Sequence, residues 1–276
     1  GIRPGLGEHI AWSESSAIVF ANSVLGARTN REGGPSALAA AICGVTPNYG
    51  LHLDSERVAG IEIELDSSMV LEDRADFGLL GLSAGVLAKN KYPAFANLSR
   101  AGKKPSEDDL KYLGAAMAAS GSVPLYFAKG VTPEYNIADD AEKVTLEGRE
   151  LQEARAKLGP DITMELIATG CPHASLKEIE EIASLLSSGG KLGSKLWICC
   201  AREIKRQADG KGYTKTIEDA GGRIVADTCM VVSPVEDAIK GAIGVNSGKA
   251  AKYVPTMCRR DIVFERLSEL IKRVRK

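Results

Sequence analysis

The chain has 276 residues, 44% hydrophobic and 26% charged, with a formal net charge of −1. That balance gives no general electrostatic attraction to nucleic acid or anionic lipid, and 5% aromatic residues leave little for a base-stacking surface. No run reaches the roughly 20 apolar residues of a bilayer span, and no apolar segment follows a basic start as in a secretory signal.

Gly and Pro punctuate the first 50 residues, which read as loops and helix starts. Ser36 to Cys43 is small and apolar and predicts a tightly packed helix with a structural Cys43. Ile61 to Leu65 alternates apolar and acidic residues, as a half-exposed strand does. Ser106 is a candidate N-cap for a helix through about Ala119, with Glu107, Asp108 and Asp109 at its positive end. Val123 to Ala128 reads as a short strand, and the polar stretch 130–142 as a linker. Beyond it come a helix over 147–157 and a strand over 162–168. Ser175 and Glu178 form a capping box opening a helix to about Leu186. A strand over 195–200, helices over 202–208 and 214–220, and a strand over 223–227 follow. Ser233-Pro234-Val235-Glu236 suggests a second capped helix, 252–257 a last strand and 262–273 a terminal helix. This alternation predicts an α/β fold with mainly parallel sheets, in two domains, 1–130 and 131–276, with ligands at the carboxyl ends of strands.

Four constellations carry candidate chemistry. Cys171 and Cys229 each follow a predicted strand and precede a capped helix, where a helix end favours a thiolate. Two thiols delivered to one crevice suit a metal, a cluster or a redox pair, although a cysteine is often only a small buried hydrophobe. The six cysteines are too thinly spread for a secreted disulfide scaffold, so a reduced cytoplasmic setting is expected. Ser13-Glu14-Ser15-Ser16 exceeds what one helix cap needs. Arg28-Thr29-Asn30-Arg31-Glu32 places two guanidinium groups before a glycine pair, as a carboxylate or phosphate site does and as a solvated loop also can. Gly244 to Lys249 fails the Walker spacing, but Ser247 and Lys249 suit a smaller anion. Of His9, His52 and His173, only His173 stands beside another candidate, two residues after Cys171.

These blocks, in this order, resemble the aconitase X family. Gly7-Glu8-His9-Ile10-Ala11-Trp12-Ser13-Glu14-Ser15-Ser16 carries the likeness, with Asn22 to Gly34, Gly170-Cys171-Pro172-His173, Asp227-Thr228-Cys229-Met230 and Asn246 to Ala251. The resemblance implies an aconitase-like three-layer α/β fold and a dehydratase with an iron–sulfur cluster, [4Fe-4S] by expectation. It implies Cys171 and Cys229 as two of three cluster ligands. The third, in a Cys-Thr-Pro-Tyr motif, is absent here. Without that motif the chain resembles the C-terminal part of a large subunit, and its opening Gly1-Ile2-Arg3-Pro4, without Met, suits a processed product, a tagged form or a fragment.

Its implied partner is a small subunit carrying a swivelling domain. The implied substrate is a phosphorylated hydroxy acid, (R)-5-phosphomevalonate, dehydrated to trans-anhydromevalonate 5-phosphate. Another small hydroxy acid such as cis-3-hydroxy-L-proline is the alternative, as is a fragment active only when assembled. Ser13, Glu14, Ser15 and His173 are then candidates for catalysis. Arg28, Thr29, Asn30, Arg31, Glu32, Ser247 and Lys249 are candidates for substrate binding. No partner role for nucleic acid or membrane is expected.

Overall fold

Both β-sheets of the computed structural model are parallel throughout, as the alternation of strands and helices predicts. The structure describes residues 2–102, 104–159, 161–187 and 189–275. Two compact units, 1–153 and 154–276, each hold one sheet. Among the described residues no helix is long and apolar enough to cross a membrane.

The first unit runs α1 (Ser15–Phe20), α2 (Gly34–Cys43), β1 (Ala59–Leu65), α3 (Arg74–Ala88), β2 (Pro93–Phe95), α4 (Glu107–Gly121), β3 (Phe127–Ala128) and β4 (Ile137–Leu146). α5 (Gly148–Leu158) leads out of it. Its strand order is β3-β2-β1-β4. β1 keeps the expected alternation, with Ile61, Ile63 and Leu65 buried and Glu64 exposed. Ser106 caps α4: the Asp109 N–H donates to Ser106 Oγ at 3.2 Å and the Ser106 N–H to Asp109 Oδ2 at 2.9 Å. α3, which sequence reasoning missed, is interrupted by Gly78, Gly81 and Gly85 and lacks a polar face. Those glycines let it lie against α4; a Cβ on Gly121 would run into the Gly85 carbonyl.

Four expectations change here. The polar stretch 130–142 carries the start of β4, which pairs with β1 up to Leu65 and Leu146. A sheet edge strand with one wet face looks like a linker in composition. The unit boundary accordingly lies at Glu153 and Ala154 rather than at 130. The strand expected over 123–128 shrinks to β3. α2 forms, but none of its residues is buried; Leu38 is 62% and Ile42 77% exposed, and Cys43 is exposed too.

The second unit runs β5 (Met164–Thr169), α6 (Leu176–Ser187), β6 (Lys195–Cys200), α7 (Arg202–Gly210), α8 (Tyr213–Asp219), β7 (Gly222–Ala226), α9 (Val235–Ala238), β8 (Ala242–Val245), α10 (Gly248–Tyr253), β9 (Ile262–Phe264) and α11 (Leu267–Val274). Ile167, Leu196, Ile198 and Val263 of the sheet pack with Ile179, Ile182, Ile217 and Leu270 of the helices. The Ser175–Glu178 box forms as expected.

The second box does not form. Ser233 Oγ instead donates to the Cys229 carbonyl at 2.8 Å, and α9 has four residues. Residues 252–257 are helical, because Ser247 caps α10 and a π-helical turn, Val254–Cys258, continues it. The strands there are β8 and β9, four and three residues long and too short to show a period. The order β7-β6-β5-β8-β9 reverses direction between β5 and β8. At such a switch point the loops leaving the two strands part, and a crevice opens at their carboxyl ends.

Candidate active site

Cys171 stands at that crevice. Thr169 Oγ1, at the end of β5, donates to Asn246 Oδ1 at 2.8 Å and joins the two strand ends. Ser247 Oγ donates to the Cys171 carbonyl. Gly170 has φ 91°, and a Cβ there would run into the Cys199 carbonyl, so only glycine turns the chain this close to β6. The Cys171–Pro172 peptide is cis.

Cys229, after β7, is half-buried and Cys171 is buried. The Cys171 thiol donates to the Cys229 sulfur, and this bond is the largest of the effects that hold the Cys229 thiol down at about 5. The N–H groups of Val232 and Val231 and the positive Lys249 act in the same direction, against burial. Burial pushes Cys199 up to about 12 and Cys200 up to about 11, and raises Cys258. Cys229 is therefore a thiolate at neutral pH. Its stabilisation comes from a neighbouring thiol, amides and a lysine rather than from the expected helix end.

A thiolate and a thiol touching at a strand-end crevice are a donor set suited to two positions of an iron–sulfur cluster. Among the described residues no group of three or more His, Cys, Asp or Glu side chains assembles to hold a metal. His173 is exposed, and its Nε2–H donates to the Thr228 carbonyl at 3.1 Å. Ser247 is buried and caps α10, accepting from the Ala250 N–H at 3.1 Å.

The other constellations lie in the first unit, where two sequence blocks run side by side. The Arg28 N–H donates to the Glu8 carbonyl at 2.9 Å, the Ile10 N–H to the Arg28 carbonyl at 3.0 Å and the Glu32 N–H to the Trp12 carbonyl at 3.2 Å. Thr29 is fully buried and gripped by Asn22, which donates to its carbonyl at 2.9 Å and accepts from its N–H at 3.0 Å. Asn30 accepts from the Leu51 N–H at 2.8 Å and donates to the Tyr49 carbonyl at 3.0 Å. Arg28 pairs with Asp54 and lies 3.6 Å from Glu134. Arg31 is exposed, with one N–H on the Ser122 carbonyl at 3.0 Å. Glu32 accepts from Ser36 Oγ at 2.6 Å. Glu14 caps α1 by accepting from the Ala17 N–H at 2.7 Å; Ser15 opens that helix and Ser13 is exposed. Of this set, then, Arg31 presents its charge outward, while Thr29 and Asn30 are engaged within the unit.

Sequence reasoning set His9 and His52 aside as solitary. The fold brings them together, Nδ1 to Nδ1 at 2.8 Å, with rings stacked 5.0 Å apart. They face an open cavity of about 640 Å³ whose wall includes Trp12 and three alanines of α2. Nothing in a spacing of 43 residues signals that pair.

Sequence models of the first, second and third aconitase X domains match residues 1–55, 59–156 and 164–276. The chain belongs to the aconitase X family. This aconitase X chain is 50% identical, over 99% of its length, to the phosphomevalonate dehydratase large subunit of Methanocaldococcus jannaschii and covers 69% of that protein. It is 50% identical to the Methanothermobacter thermautotrophicus large subunit, again over 99% of its length, and covers 67% of it. The cis-3-hydroxy-L-proline dehydratase of Pseudomonas aeruginosa is 35% identical over 95% of this chain, which covers 47% of that enzyme. The crystal structure of Thermococcus kodakaraensis aconitase X in its holo-form superposes with a TM-score of 0.92 at 45% identity, over 98% of this chain and 69% of that one. The α/β aconitase X fold expected from the sequence is thus the fold observed. The chain spans about two thirds of its archaeal relatives.

Proposed function

We propose that this aconitase X chain is the main part of a dehydratase large subunit that removes water from (R)-5-phosphomevalonate. The product is trans-anhydromevalonate 5-phosphate, on a mevalonate route to isoprenoids. The observation that carries this reading is the 50% identity with archaeal phosphomevalonate dehydratase large subunits across 99% of the chain, against 35% with a hydroxyproline dehydratase. The partner is a small subunit carrying a swivelling domain, in keeping with relatives named large subunits. The setting is the reducing cytoplasm, where thiolate ligands persist.

Cys171 and Cys229 would hold two positions of an iron–sulfur cluster, with a third ligand from outside the described residues. Bound there, the cluster supplies a Lewis-acidic iron for the departing hydroxyl group. The chain's own residues do the rest. Lys249 and the amides of Val231 and Val232 keep negative charge in place beside Cys229. Arg31 binds the substrate carboxylate, on which charge builds as the adjacent carbon loses its proton. Arg28 and Glu32, with Thr29 and Asn30, hold the loop that presents Arg31. Lys249 is also the candidate for the phosphate, with Ser247 positioning it at the start of α10. Ser13, Glu14, Ser15 and His173 remain candidates for lining the site and moving protons.

Arg31→Ala is expected to lower kcat/KM about ten- to hundredfold, matching about 1.5–3 kcal/mol for a hydrogen bond to a charged group, with the melting temperature unchanged. An unchanged rate removes Arg31 from the site. The reading as a whole is tested by giving the assembled, anaerobically reconstituted enzyme (R)-5-phosphomevalonate and cis-3-hydroxy-L-proline in parallel. A kcat/KM at least about 100-fold higher for the phosphorylated acid is expected, since an unpaired phosphate-binding group strongly rejects a substrate lacking phosphate. The reverse preference moves the chain to the hydroxyproline branch.

A further inference from the structure

Cys258 and the π-helical turn that ends on it have no role so far, and Cys258 reaches the loop that carries Cys229. That loop, 227–233, leaves β7 and leads to α9. Its start is fixed. Asp227 sits at φ 59°, in the left-handed region that Asp tolerates. The Asp227 N–H donates to the Cys200 carbonyl at 2.9 Å, and Asp227 Oδ1 accepts from the Arg202 N–H, at the start of α7, at 2.8 Å. Three consecutive carbonyls after that turn are each held. The Thr228 carbonyl accepts from His173 Nε2–H at 3.1 Å. The Cys229 carbonyl accepts from the Val232 N–H at 3.2 Å, the Ser233 N–H at 3.1 Å and Ser233 Oγ at 2.8 Å. The Met230 carbonyl accepts from the Cys258 thiol at 3.4 Å. A thiol is a weak donor, but Cys258 and Met230 are each 1% exposed, so water does not compete for that carbonyl.

We infer that His173 and Cys258 are positioning residues that clamp the peptide groups on either side of Cys229 and so hold its sulfur ready for the cluster. The inference rests on the ligand reading of Cys229 given above. The two donors come from distant parts of the chain. His173 stands in the turn after β5, and Cys258 ends the turn Val254–Cys258, where Arg259 at φ 52° stops the helix. They grip residues 228 and 230, so the backbone of the residue between them is fixed from both sides. A loop fixed before iron arrives loses little freedom on binding it. The groups that orient a metal ligand also set how tightly the metal is held.

His173 does one thing more. It stands two residues after Cys171, so its bond to Thr228 ties the loop of one cysteine to the loop of the other. A carbonyl only accepts, which places a hydrogen on His173 Nε2 whatever the charge of the ring. That nitrogen is engaged with the loop, which favours the holding role over proton transfer for this residue.

The test uses the complete large subunit, assembled with the small subunit and reconstituted anaerobically, and follows the release of iron to a chelator by the decay of the visible band. His173→Ala and Cys258→Ala each remove a donor. Each should release iron about tenfold faster than wild type, at the lower edge of the roughly 10–100-fold that losing an outer partner costs in metal affinity. His173→Gln and Cys258→Ser each keep a donor and should stay within about threefold of wild type. Ala variants as slow as wild type, or donor-keeping variants as fast as the Ala ones, overturn the clamp. So does a Cys258→Ser protein that binds no iron, which would make Cys258 a ligand itself. Amide hydrogen exchange reads the same idea in the iron-free assemblies. The Val231 and Val232 amides should exchange about tenfold faster in the Ala variants and at the wild-type rate in the donor-keeping ones, a factor that one hydrogen bond supplies. Equal exchange in all five proteins overturns the clamp. If wild type takes up no iron, the ligand reading of Cys229 falls, and exchange still judges the clamp.

Discussion

Replacing Cys229 with Ser is expected to stop turnover while leaving the protein folded. The Cys229 sulfur is a thiolate because a thiol, two amides and a lysine surround it. A serine hydroxyl in the same place stays protonated and binds iron poorly. Cys171→Ser acts on the same pair from the other side, removing one ligand and the S–H donor that holds the Cys229 thiol down. Either change should bring the rate below about a hundredth of wild type, beyond the 10–100-fold typical of losing only an outer-shell partner. Cys229 is half-buried and Ser is smaller, so the melting temperature should move by only a few degrees. Cys43→Ser is the control; its exposed thiol lies in the other unit, and its rate should not change. Full activity in Cys171→Ser or Cys229→Ser would remove that residue from the cluster.

Arg57→Met is expected to destabilise the first unit strongly. Arg57 is fully buried. Its guanidinium donates to Glu134 Oε2 at 2.5 and 3.0 Å, to the Asn22 carbonyl at 3.0 Å and to the Leu51 carbonyl at 3.3 Å. Removing it strands a carboxylate and two carbonyls, and breaking such a buried pair costs about 3–5 kcal/mol. Arg28, 3.6 Å from Glu134, offsets part of this. A drop in melting temperature on the order of 10 °C follows for a chain of this size. The loss reaches function as well, because Asn22 grips Thr29 and so sets the loop that presents Arg31. A melting temperature within a degree or two of wild type would show that the unit does not depend on this pair.

The elements legible in the sequence were those whose signal is local. β6 runs over the predicted Lys195–Cys200, and α4 and α6 start at the predicted caps because a capping box is written within four residues. What failed depends on partners distant in sequence. β4 looks like a linker until β1 pairs with it, and residues 252–257 look like a strand until Ser247 caps a helix in front of them. The site divides in the same way. Cys171 and Cys229 were visible as thiols at strand ends, but the contact that makes Cys229 a thiolate was not. Thr29 and Asn30 carried a visible polar motif whose hydrogen bonds turn inward, to Asn22 and to the 49–51 turn. His9 and His52 gave no signal, since neither a period nor a short motif joins them.

Whether the Cys171 thiol and Cys229 thiolate of the second unit carry the cluster for dehydration is decided most directly by counting iron and sulfide. Wild type and a Cys171→Ser/Cys229→Ser double variant, each as the complete large subunit carrying the third ligand and assembled with the small subunit, are reconstituted anaerobically, desalted and assayed for bound iron and acid-labile sulfide. The wild type should retain both in cluster stoichiometry with a visible charge-transfer band, and the double variant should retain neither. Equal iron and sulfide in the two proteins would place the cluster elsewhere and contradict the account.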